Sequence, residues 1–133
     1  MEDQIRQAII AAINSGYPTA FPAVPIVYPN APFDWNTLPE QFTEVEIEFQ
    51  GGSQVGMAWA PKRRVAGCVY VHAYRRAGTG VKGALDVVTW FSDTLKFQHL
   101  GPAQLQAPEP DGNSQLRGFH IEHLKVPFCS DPA

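Results

Sequence analysis

The sequence has little charge, few cysteines and no long apolar run, and each scarcity excludes a class of protein. Only 17% of the 133 residues are charged and the net charge is −3, so no basic face is available to capture nucleic acid. No apolar run approaches the roughly 18 residues that a membrane-spanning helix needs. Cys68 and Cys129 form no CxxC pair, and we expect both thiols to be reduced. The N-terminus is acidic and unlike a secretion signal, which favours a cytoplasmic site of synthesis and residence.

What the sequence does contain is one modest apolar core. Hydrophobic residues make up 44% of the chain, and its length fits a single domain over residues 1–133. Apolar residues at helical spacing predict helices over 2–14, which we expect to stop at Ser15-Gly16, and over 81–96. Period-two alternation predicts four strands, a short arm that follows a turn at Gly51-Gly52, and an edge piece that contains Pro25. The strands are 41–50, 65–76, 102–107 and 115–126, the arm is 55–59, and the edge piece is 24–28.

The order of these elements predicts the fold class. Hairpin connections dominate between the predicted strands, and the two helices come at the start of the chain and between the second and third predicted strands. We therefore expect an α+β domain, with a mainly antiparallel sheet of four to five strands and two helices packed on it.

Three carboxylates share one face of the strand 41–50. Glu44, Glu46 and Glu48 alternate with apolar residues, so they point away from the core. Paired carboxylates can act as general acid and base, but no histidine or tryptophan is expected near these. A solvated sheet face is the favoured interpretation, and an acidic lining of a channel is the functional alternative.

The remaining polar motifs predict neither catalysis nor a metal. His120 and His123 are spaced to lie on opposite faces of a strand, and no HExxH or cysteine pattern completes a zinc site. The turn at residues 77–83 is glycine-rich but matches neither phosphate-loop spacing, so we expect a strand-to-helix turn in which Thr79 caps the helix. Cys68 lies mid-strand, as a buried, inert thiol does. We expect no catalytic residue and no cofactor.

Two apolar segments are not explained by a monomer alone. Residues 51–61 carry large apolar side chains and no charge, and the proline-rich loop at 17–40 is rich in aromatics. Both segments either pack on the domain's own core or form contacts between subunits. Aromatic residues with arginine nearby are typical of interface centres, so we predict a subunit interface. Its predicted residues are Trp35, Val55, Met57, Trp59, Arg63 and Arg64.

The order of motifs along the chain resembles a known family. A helix and a proline-rich extended piece precede the Glu-rich strand Thr43–Gln50 and a glycine-bearing arm. Arg63-Arg64-Val65-Ala66-Gly67 then leads into a strand that ends in Gly78-Thr79-Gly80 before a helix, and the chain closes with Val126-Pro127-Phe128. Over residues 3–130 this pattern is similar to the tail terminator (tail completion, minor tail) proteins of long-tailed bacteriophages.

The resemblance implies a structural virion protein and not an enzyme. Such proteins form a hexameric ring that caps the finished tail tube, ends tube polymerisation and joins the tail to the head connector. Assembly would take place in the host cytoplasm, without a cofactor, and DNA would pass through the lumen without sequence-specific binding. Glu44, Glu46 and Glu48 could line that lumen. A head-completion or neck protein is the nearest alternative, and a small ligand-binding α+β domain or enzyme is the alternative from another class.

Overall fold

The computed structural model describes residues 2–28, 39–55 and 62–130, with the backbone alone for 51–55 and 62–64. It is an α+β fold in which two helices pack on one curled sheet of seven strands. The elements are α1 (Glu2–Ala20), β1 (Ile26–Val27), β2 (Gln41–Val55), β3 (Lys62–Arg76), α2 (Lys82–Leu95), β4 (His99–Leu100), β5 (Ala103–Leu105), β6 (Glu109–Leu116) and β7 (Phe119–Ser130).

The sheet has more strands than the predicted four to five, and it is mixed. Its order is β1-β2-β3-β7-β5-β4, and β6 pairs with the part of β7 that β5 leaves free. All pairs are antiparallel except β1 with β2, where Ile26 lies opposite Thr43. More than a dozen residues separate β1 from β2, enough for the chain to return and start a parallel neighbour. The strand predicted at 115–126 instead covers the end of β6 and most of β7, which are separated by Arg117 and Gly118 with positive φ.

Both helices bury one face against the same side of the sheet. The buried residues of α1 recur every four positions, which places them on one stripe of the helix. The buried residues of α2 recur every three or four positions and also form one stripe. Both stripes pack against the inward side chains of β2, β3 and β7. The core consists mainly of Ile5, Ile9, Ile13, Tyr17, Val45, Val69, Val71, Phe91, Leu95, Leu124, Val126 and Phe128.

The first helix continues past the stop predicted at Ser15-Gly16. A Cβ atom at Gly16 would come within 3.1 Å of the Trp90 ring, so this glycine serves close packing between α1 and α2. Tyr17 follows it into the core, with its ring 5.4 Å from that of Phe91. Pro18 lies in the last turn, so its ring and its missing N–H disturb only the end of the helix.

The hairpin of β2 and β3 is longer than predicted, because Gly51-Gly52 is not its turn. Strand β2 continues to Val55, with a register shift between Gln50 and Ser53 that marks a bulge. Pairing of β3 with β7 ends at Val65 opposite Ser130. Beyond that point the two strands pair only with each other among the described residues. We call this end of the hairpin, residues 51–64, the hairpin arm; its residues 56–61 lie outside the described part.

Candidate functional site

The outer face of the sheet, opposite the helices, carries the richest group of polar side chains. The register of β2 and β3 sets Glu44 opposite His72, Glu46 opposite Tyr70, and Glu48 opposite Cys68. The acidic row predicted from sequence therefore has a histidine beside it, and the expectation that none would be near was wrong. Period-two alternation puts each set on one face of its own strand, but the register is needed to bring the two sets together.

His72 lies at the centre of this group. Its Nε2 atom is 3.8 Å from Oε2 of Glu46, and the ligand atoms of Glu44, Glu46 and His72 all lie within 4.8 Å of one another. The side chain of His72 is 18% exposed and that of Glu46 is 36% exposed, so both are partly withdrawn from water. We call these three residues the Glu-Glu-His cluster.

The other ring nitrogen of His72 begins a chain of short hydrogen bonds. His123 lies directly opposite His72 on β7, and the two Nδ1 atoms are 2.7 Å apart. Nε2 of His123 is in turn 2.7 Å from Oγ of Ser114 on β6. One imidazole must donate to the other, because two unprotonated Nδ1 atoms cannot share a hydrogen bond. Strands β6, β7 and β3 thus hold a chain of two hydrogen bonds from Ser114 to His72, which we call the relay.

The electrostatics of the outer face are dominated by uncompensated negative charge. Partial burial raises the pKa of Glu44, and the nearby charge of Glu46 raises it further. Burial, then the charges of Glu44 and Glu46, raise the pKa of Tyr74 to about 12. Among the described residues, no lysine or arginine comes within 4 Å of either carboxylate. Burial and the neighbouring His72 lower the pKa of His123, which favours the neutral form of that ring.

The other two histidines lie apart from this cluster. Nε2 of His120 is 2.7 Å from Oε1 of Glu122, so the imidazole is occupied by its own strand. His120 and His123 therefore have different partners, as their spacing predicts. His99 is exposed on β4.

The glycine-rich turn before α2 has the geometry of a simple strand-to-helix connection. Gly78 and Gly80 have φ values of +87° and +88°, which glycine adopts without strain. Thr79 does not cap the helix as predicted: its hydroxyl donates to the carbonyl of Arg76 and closes the turn. Lys82 reaches along the helix to Asp86 at 3.0 Å. The one cation in the predicted loop is thus already paired.

A second concavity lies between the end of α1 and β1. It encloses about 260 Å³ and is lined mainly by proline and aromatic side chains. The hydroxyl of Tyr28 is buried there with no hydrogen-bond partner among the described residues. The other phenol of the lining, Tyr17, already has Thr43 as its hydrogen-bond partner. One unpaired buried hydroxyl among mainly apolar neighbours carries no evident chemistry.

The predicted interface residues fall into two groups. Val55, Arg63 and Arg64 lie on the hairpin arm, where Arg63 is opposite Gln54 and Arg64 is opposite Ser53. Trp35, Met57 and Trp59 lie outside the described residues. Cys68 is buried and both cysteines are free.

The structure exposes apolar side chains that sequence reasoning missed. Val81, Leu85, Phe97 and Leu116 are between 43% and 59% exposed. Phe97 is the most exposed of them, and its φ of +54° is uncommon for a bulky residue. Its position just after α2 gave no sign of this, because the helical pattern ends at Leu95.

Comparison with known proteins supports the fold. No family model matches the chain, and no curated protein is significantly similar to it in sequence. One of the solved structures that match superimposes with a TM-score of 0.75 at 13% identity, over 100% of this chain and 97% of that chain. At this identity the likeness establishes a shared α+β fold and nothing about function. No helix in the described ranges is long and apolar enough to cross a membrane.

Proposed function

We propose that this chain is a structural virion protein, the subunit of a hexameric ring that caps a phage tail tube. In this role the ring ends tube polymerisation and forms the joint to the head connector. The resemblance in motif order motivates the proposal, and the observation that carries it is the hairpin arm.

The hairpin arm is poorly suited to stand alone in water. Among the described residues, its two strands pair only with each other, and an isolated two-stranded ribbon is at best marginally stable. Residues 51–61 contain no charged side chain, and the three charges of the arm, Lys62, Arg63 and Arg64, all lie on its second strand. The first strand therefore has no charge of its own to protect its edge from pairing with another chain. A neighbouring subunit would supply a surface on which the arm packs, and Met57 and Trp59 would be the apolar side chains through which the arm contacts it.

A ring in which each arm contacts the next subunit is a heterologous assembly. Each subunit then uses two different patches, and the contacts close when the rotation between subunits divides a full turn. In such a ring we assign the outer face to the lumen. Glu44, Glu46 and Glu48 would repel the phosphates of passing DNA, which lets DNA through without gripping it. The tail tube protein and the head connector would contact the two rims, and no catalysis or cofactor is required.

A double substitution in the hairpin arm tests the proposal. Met57→Ser combined with Trp59→Ser should abolish rings and tail completion, because it removes the apolar anchors, while the circular dichroism spectrum of the monomer is retained. The matched control is Val81→Ser with Leu85→Ser, which removes two exposed apolar side chains at the start of α2, one just before the helix and one within it, and should leave assembly intact.

The possible outcomes separate the alternatives. Unfolding of the arm variant would place the arm in the protein's own core. Normal assembly would place the interface elsewhere. Tail length separates a terminator from a neck protein, because tubes continue to add subunits only when the terminator fails.

A further inference from the structure

The Glu-Glu-His cluster has the donors and the rigidity of a metal site. Its three side chains project from the paired central strands β2 and β3, and no loop residue is needed to bring them together. Two carboxylates and an imidazole are ligands that divalent transition metals accept. The 4.8 Å within which the donor atoms lie is slightly wider than a bound ion requires, since two donors at about 2.1 Å from one ion are about 3 to 4.2 Å apart. Small rotations of the glutamate side chains close the difference.

The distance between His72 and Glu46 favours an ion over a direct hydrogen bond. At 3.8 Å, Nε2 of His72 and Oε2 of Glu46 are beyond hydrogen-bond reach but at a suitable separation for two ligands of one cation. A cation between them would also neutralise two carboxylates that no lysine or arginine approaches within the described part of the chain. The charge of the carboxylates and the distance between the donor atoms therefore both favour a bound cation.

The relay behind His72 presents its Nε2 lone pair to this position. If Nδ1–H of His72 donates to Nδ1 of His123, then Nε2–H of His123 donates to Ser114, and every contact in the chain is satisfied. The Nε2 atom of His72 is then unprotonated and faces the carboxylates. Metal-binding histidines are commonly oriented in this way by a hydrogen bond from their second nitrogen.

We propose that Glu44, Glu46 and His72 bind one divalent transition-metal ion such as Zn²⁺, and that His123 positions His72. This site was not expected from sequence, because the histidine spacing considered there involved His120 and not His72. Three protein ligands leave at least one position of the ion open to water. The proposal does not depend on ring assembly. In a ring, the bound ion would balance the charges of Glu44 and Glu46, and the repulsion of DNA would then rest on Glu48.

The test is a calorimetric titration of Zn²⁺ into the full chain, prepared without a polyhistidine tag and stripped of metal. We expect one ion per chain. Glu46→Gln, which preserves shape, and His72→Ala should each weaken binding by about 100-fold or more, because each removes a direct ligand. His123→Ala should weaken it by about 10- to 100-fold, as loss of an orienting partner does.

His120→Ala is the matched control, since it removes a histidine of another histidine–carboxylate pair, and it should leave Zn²⁺ affinity unchanged. Thermal unfolding without metal checks that each variant is folded. If His72→Ala does not fold, the isosteric Glu46→Gln still tests the site. Absence of stoichiometric Zn²⁺ binding, or binding that survives Glu46→Gln, would overturn the site. So would an equal loss in the His120→Ala variant.

Discussion

Tyr17 connects the first helix to the sheet through a single buried polar contact. Its hydroxyl is 2.9 Å from Oγ1 of Thr43, and both residues are almost fully buried. The Tyr17→Phe variant leaves the threonine hydroxyl without this partner, which costs about 1–3 kcal/mol of unfolding free energy. Urea unfolding measures the loss. Adding Thr43→Val, which removes the second polar group, should recover part of it, and strictly additive losses would contradict the pairing.

The same tyrosine predicts a loss of stability at high pH. Burial raises the pKa of Tyr17 to about 12, against 10.0 for an ordinary tyrosine. Below pH 10 both folded and unfolded chains keep the proton, so the stabilisation is fully present. Between pH 10 and 12 only the unfolded chain ionises, and the free energy of unfolding falls as pH rises. The measurement is the free energy of unfolding from pH 10 to pH 12, which should fall less steeply for Tyr17→Phe than for the unmodified chain. An unchanged slope would contradict the role given to Tyr17.

At the scale of elements, Gly67 permits the close approach of β2, β3 and β7. A Cβ atom there would collide with the backbone carbonyl oxygen of Glu48 and would come within 2.8 Å of the Phe128 ring. The carbonyl belongs to the ladder between β2 and β3 and cannot move without disturbing that pairing. Gly67→Ala should therefore destabilise the protein by about 1–3 kcal/mol, as overpacking does.

The measurement is chemical unfolding of Gly67→Ala, with Ala66→Ser as the control variant. The neighbouring Ala66 is partly exposed on the opposite side of β3, so its equally small enlargement should cost little. Equal stability of the two variants would show that the strands have room to separate.

The same elements explain how much of the fold could be predicted. Helical spacing and period-two alternation identified both helices and the central strands, because burial of one face dictates the pattern. Glycine was misread twice: Gly16 serves close packing with Trp90, and Gly51-Gly52 accompanies a bulge. Strand β6 was missed because all eight of its residues are exposed and show no alternation.

The candidate site was only half predictable for a related reason. Alternation placed Glu44 and Glu46 on one face of their strand and His72 on one face of the next. Whether these faces meet depends on register, which is set by long-range pairing and not by local pattern. The contact between His72 and His123 requires a third strand, because the two histidines are 51 residues apart in the chain. No local sequence pattern predicts this pairing.

At the scale of the whole molecule, two surfaces bear on the proposed ring. The hairpin arm extends beyond the last paired residue of β7. The outer face carries carboxylates that have no lysine or arginine partner among the described residues. A closed ring accounts for both, since the arm would be covered by a neighbour and the carboxylates would face the lumen. In that arrangement, loss of the arm's anchors affects assembly and leaves the fold of each subunit unchanged.

The most direct test of this account is native mass spectrometry of the unmodified chain over increasing concentration, alone and with tail tubes. The account predicts a species of six chains that accumulates with concentration or appears when tubes are added. A stable dimer whose two-fold interface occupies the hairpin arm would contradict it, because that contact closes without forming a ring. A chain that remains monomeric at every concentration, even with tubes present, would contradict it as well.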